Sequence, residues 1–160
     1  MKKTIIVLLS IVMAFGVLTG CVSDPVAEEL EKFLNTDMVE INAKYKDLKA
    51  EVGKWSNLED DAALAASIKE TVLPNIDSSL ELLSKIQLQT DEVKEIKAKY
   101  QKVLEVYKEG YQIMQSAAEK GDETTAKTAE AKIEEGVKLL DEYNKSVEAL
   151  AAEKDMTVEY

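Results

Sequence analysis

Lys120-Gly121-Asp122 joins two long apolar stripes: Val93, Ile96, Tyr100, Val103, Tyr107, Gly110, Met114 and Ala117 before it, and Ala126, Ala129, Ile133, Gly136, Leu140, Tyr143, Val147 and Leu150 after it. Apolar residues recurring at alternating intervals of three and four mark one face of an α-helix. A glycine after such a pattern supplies the left-handed residue that ends a helix, and the aspartate beside it supplies the next N-cap. The triplet therefore predicts a tight reversal between two antiparallel helices. In the register it sets, Tyr107 faces Gly136, Gly110 faces Ile133, Met114 faces Ala129 and Tyr100 faces Tyr143. Large meets small in three of these four layers.

Upstream the same spacing recurs twice. Gln87 to Thr90 read as the turn before the third stripe, with Thr90 as cap and Asp91 and Glu92 in the first helical turn, where the helix dipole favours negative charge. Before it, Leu64, Ile68, Val72, Ile76, Leu80, Leu83 and Ile86 form a second stripe, which Pro74 interrupts. Proline lacks the N–H for an intrahelical bond and clashes with the carbonyl four residues back, so a kink or short break is expected near Leu73. Ser56 to Asp61 carry turn and cap residues. Before them Leu30, Leu34, Met38, Ile41, Tyr45, Leu48, Val52 and Trp55 form the first stripe, opened by Asp24 as N-cap and Pro25 at the first helical position.

Four helical segments of roughly 30 residues, or about 45 Å each, joined by short turns, predict an all-α fold. The simplest arrangement is an up-down-up-down four-helix bundle over residues 25–154, followed by a tail over 155–160 that is loose or lies across one end. An elongated antiparallel coiled coil would use the same spacing.

Residues 1–20 read differently. Lys2 and Lys3 precede an apolar run from Thr4 to Val17, the layout of a secretory signal peptide and too short for a membrane span of about 20 residues. Leu18-Thr19-Gly20-Cys21 then resembles the lipobox of bacterial lipoproteins. The resemblance implies cleavage between Gly20 and Cys21, diacylation of Cys21 and a short lipidated tether over 21–24. Two or more acyl chains hold a protein stably on a membrane, where one chain binds only marginally. The implied location is the extracytoplasmic face of the cell membrane, with Cys21 as the single candidate site residue.

Composition narrows the function further. The chain has 20 Lys+Arg, all of them lysine, against 31 Asp+Glu, and the balance becomes two units more acidic once Lys2 and Lys3 are removed. That argues against a nucleic-acid partner or an anionic lipid surface for the folded body, since both are bound through basic patches. With no histidine and one cysteine, there is no Ser/His or Cys/His pair, no imidazole ligand and no internal disulfide. No cofactor or metal site is expected. Glu59-Asp60-Asp61, Asp91-Glu92 and Asp122-Glu123 fall where helices start and match no calcium loop, so they read as caps.

Tyr45, Trp55, Tyr100, Tyr107 and Tyr143 lie on the stripes and read as core, with Tyr111 as the best candidate for a partly exposed aromatic. Tyr100 to Tyr111 and Tyr143 to Tyr160 give the body a resemblance to cell-wall-binding lipoproteins of monoderm bacteria, through composition more than motif. It transfers no functional residue. The sequence thus points to a membrane-tethered, non-enzymatic helical module with a binding or structural role at the cell envelope, an envelope protein or the cell wall being the candidate partners. The alternative is a carrier holding a small apolar ligand or peptide within the bundle.

Overall fold

The structure, a computed structural model, describes residues 24–158. The signal segment 1–20, Cys21 and the last two residues of the tail lie outside the described residues. Those described are mostly helical, with no strand among them: α1 (Pro25–Lys32), α2 (Val39–Val52), α3 (Asp61–Ser67), α4 (Leu73–Lys85), α5 (Asp91–Lys120) and α6 (Glu123–Glu153). The helices outnumber the four stripes because π-helical segments divide the first two. Phe33–Asp37 separates α1 from α2, and Ile68–Val72 separates α3 from α4.

In the first π segment the Met38 amide donates to the Phe33 carbonyl at 3.0 Å, five residues back, and Asn42 to Met38 resumes the α pattern at 2.8 Å. The wider turn lets Phe33, which lies off the first stripe, join Leu30, Leu34, Met38 and Ile41 in the core. In the second, Leu73 donates to Ile68, so the interruption ends where Pro74 enters the first turn of α4. The expected break near Leu73 is this widened turn, which gives the proline ring room while the chain stays helical.

Caps define the ends. Asp24 accepts from the Val26 amide at 2.8 Å, Asp60 from Ala63 at 2.8 Å, and Asp122 from Thr124 and Thr125. Gly121, with φ 63° and ψ 30°, closes α5: its own amide donates to Ala118 and the Asp122 amide to Ala117, the paired bonds of a Schellman motif. The end of α6 repeats the motif with Asp155 in the left-handed position at φ 55°. Met156 then donates to Ala151 at 2.8 Å, and Met156 and Val158 pack against the core, so the described part of the tail is docked.

Thr90 occupies the predicted cap position but its side chain does not cap α5. Instead Glu29 of α1 reaches across to accept from the Gln89 amide at 2.6 Å and from the Thr90 amide and hydroxyl. Burial pushes the Glu29 carboxyl up, but these hydrogen bonds outweigh it and hold its pKa below the usual value. Lys97 fixes the same connection through the Ile86 carbonyl at 2.7 Å.

The helix α5 is central: it packs against α6 along one side and against α1, α3, α4 and the second π segment along the other, while α2 packs on α4. Its stripe is therefore broader than one face, burying Leu104, Val106 and Tyr111 as well as all eight predicted positions. Against α6 the register expected from Gly121 holds. A Cβ built on Gly136 would lie 2.6 Å from the Tyr107 ring, and one on Gly110 would lie 2.8 Å from Ile133 Cγ1. Tyr100 and Tyr143 stack tilted with ring centroids 5.0 Å apart. Lys132 ties the flank of the seam to Glu109 at 3.0 Å.

Gly136→Leu should overpack the Tyr107 layer and lower stability by about 1–3 kcal/mol, although leucine is the better helix former. A thermal melt in which its midpoint rises would place Gly136 away from that ring.

Candidate functional site

Two regions of the body hold groups that simple packing does not account for. The first is the aromatic interior. Trp55 meets the Tyr111 ring edge-on at 5.9 Å, and Tyr111 is followed by Tyr107 at 6.2 Å. The Trp55 indole N–H donates to the Ser67 hydroxyl, which donates to Glu51, both at 2.8 Å. Lys54 also bonds Glu51 and, with Ser67, holds the carboxyl below its usual range. This chain of bonds fastens the end of α2 to α3.

Tyr45, Trp55, Tyr100, Tyr107 and Tyr143 are buried, as their positions on the stripes imply. Tyr111 is not the partly exposed aromatic expected from sequence; it is 0% exposed. The reason is the position of α5 between two layers, which covers the flank of the stripe as well as its centre. The hydroxyls of Tyr45, Tyr107 and Tyr111 are buried without hydrogen-bond partners. Burial pushes the phenol pKa values of Tyr45, Tyr100, Tyr107, Tyr111 and Tyr143 well up, so all five stay neutral in the fold.

The second region is a partly open groove of about 150 Å³ where α3 begins and the α5–α6 hairpin turns. Leu64, Met114, Ala117, Ala118 and Ala126 line it with apolar surface. Asp61, Asp122, Glu123 and Glu130 stand with Lys127 along its walls. Asp122 is tied into the cap of α6, and hydrogen bonds from Thr125 hold its carboxyl below the usual range. Asp61, Glu123, Glu130 and Lys127 form no ion pair among the described residues.

The groove has a physical origin in the seam. Ala117 faces Ala126 in the register that sets Tyr107 against Gly136, and Met114 faces Ala129, so small side chains meet near the hairpin tip. Facing alanines on stripes that elsewhere pair large with small were the available signal, and reading them only as core positions missed the space they leave.

The acidic clusters sit at helix starts, where Asp60 and Asp122 act as caps and Asp91 joins Lys94 at 2.8 Å. Among the described residues no three of His, Cys, Asp and Glu come together as a metal-binding group, and no helix is long and apolar enough to cross a membrane. What the groove offers chemically is contact: an apolar floor and an acidic wall. No protein-family model matches the chain, and no curated protein or solved structure matches it.

Two measurements test the aromatic interior. The Tyr111 hydroxyl has no partner to lose, so Tyr111→Phe should leave stability unchanged or raise it by up to about 1–3 kcal/mol in a denaturant titration; a loss above about 1 kcal/mol would mean that the hydroxyl is bonded. The five raised phenol pKa values act on stability at high pH. Unfolded tyrosine ionises near pH ~10, so their stabilisation is fully present below that pH and is lost as pH rises above it. The melting midpoint should fall in that range, with phenolate absorbance at 295 nm appearing together with loss of helical circular dichroism. Ionisation of these tyrosines in a chain that stays helical would contradict their burial.

Proposed function

We propose that the chain is a lipid-anchored binding module of the cell envelope, held through acylated Cys21 on the extracytoplasmic face of the membrane. Its body acts as an up-down-up-down four-helix bundle, with α1 and α2 as the first arm and α3 and α4 as the second. The observation that carries the reading is the placement of two ends. Val22 and Ser23 alone separate Cys21 from Asp24. Asp24 in turn caps α1 and meets Lys154, beyond the last turn of α6, at 3.3 Å.

The chain therefore enters the body at the end where α6 finishes and α5 begins, beside Glu29 and the Gln89-Thr90 connection. The groove lies at the other end of α5 and α6. An α-helix rises 1.5 Å per residue, so the 30 residues of α5 separate these ends by about 45 Å. An anchored body would hold its groove far from the bilayer, facing whatever lies outside. That favours display to a partner over the alternative of a carrier, because the groove opens at the tip instead of lying enclosed between four helices.

Replacing Cys21 by serine tests the anchor. Cys21→Ser should abolish incorporation of labelled palmitate, leave an unprocessed precursor and remove the processed, acylated form from the membrane fraction. Equal processing and equal retention of the Cys21→Ser protein would overturn the reading.

A further inference from the structure

The groove at the hairpin tip has features that specify an occupant. Its accessible apolar lining is small, formed by half-buried Leu64, Ala118 and Ala126 beside the covered Met114 and Ala117, and the space they border is about 150 Å³. Its wall carries four carboxylates to one lysine. A purely apolar ligand would leave those carboxylates with nothing to do, and an acidic one would be repelled. An apolar group with positive charge on either side satisfies both surfaces at once.

We propose that the groove receives one apolar side chain of a partner polypeptide whose neighbouring residues are lysines or arginines, the apolar group seated against Leu64, Ala118 and Ala126, next to Met114, and the cations against Asp61, Glu123 and Glu130. This deepens the reading of the chain as an envelope module by giving the chemistry of its partner. Glu123 and Glu130 are exposed and unpaired among the described residues, so they meet a cation without first breaking an ion pair. Asp122 contributes field but not contact, since its oxygens hold the start of α6. Lys127, between Glu123 and Glu130 on the same helix, disfavours a ligand with cations throughout.

The probe is a fluorescein-labelled pentapeptide with phenylalanine between two pairs of lysines, followed by anisotropy and by the methyl resonance of Met114. The whole chain is used, in phosphatidylcholine nanodiscs if it is membrane-bound and in buffer if it is not, so failure of the anchor leaves the binding result readable. Saturable binding should weaken with salt and shift the Met114 methyl with the same midpoint. Glutamate in place of the lysines, or alanine in place of phenylalanine, should abolish it. The double variant Glu123→Lys with Glu130→Lys, both at exposed positions, should weaken binding by about tenfold or more while the helical spectrum is kept. Ala126→Leu, which fills the groove, should act in the same direction. The proposal is overturned if no saturable shift appears at Met114, if the glutamate peptide binds equally, or if the double variant binds as before. Occupation by dodecyltrimethylammonium that the peptide does not displace would also overturn it, making the groove a site for a small amphiphile.

Discussion

The close approach of α6 to α5 is the constraint on which the rest of the body depends. Gly136 lets the Tyr107 ring lie against the backbone of α6, and Gly110 does the same for Ile133 in the opposite direction. Each glycine costs its own helix about 0.8–1 kcal/mol relative to alanine, and the return is an interlocked seam whose register a slip of one turn would destroy. With α6 seated on one side, α5 presents its other side to α1, α3 and α4, and so belongs to both halves of the core. That double duty explains why Tyr111 is fully covered and why tyrosine hydroxyls end up in the interior with no partner. Their desolvation is a local penalty that the surrounding ring and aliphatic packing offset.

Much of this was legible from residue spacing. The stripes from Val93 to Ala117 and from Ala126 to Leu150 named nearly every buried position along the seam, because a long helix with one apolar face leaves a periodic record. Gly121 and Asp122 fixed the reversal through local backbone chemistry that needs no tertiary context. The π segment at Phe33–Asp37 left no such record. A single widened turn shifts phase by one residue, and the pair Phe33-Leu34 reads equally well as one stripe residue with an incidental neighbour. The capping of the connection at Thr90 by Glu29 was invisible for another reason: the partners are 61 residues apart, and no local pattern reports a carboxylate arriving from another helix. The groove lay between these cases. Its facing alanines were in the sequence, but only the register turns two small residues into a space.

The two ends of the body differ in kind. At one, Asp24, Lys154, Glu29 and the connection before α5 are cross-braced by ion pairs and hydrogen bonds, and the docked Met156 closes the core. At the other, tight turns and caps leave short side chains, a partly open apolar groove and carboxylates that form no ion pair among the described residues. The tightly packed Gly136–Tyr107 layer lies about 20 Å along α6 from Glu123, so substitutions at one need not disturb the other.

The contact between Asp24 and Lys154 also governs how the body bears load. Because the first and last described helices are clasped at the same end, a pull between Asp24 and Lys154 acts across that ion pair and peels α1 from the body one turn at a time. A pull between the entry of the chain and the hairpin tip loads α1 to α5 and must slide α1, α3 and α4 lengthwise against α5. The body is therefore mechanically anisotropic: it unzips when drawn apart at its base and resists when stretched along its axis.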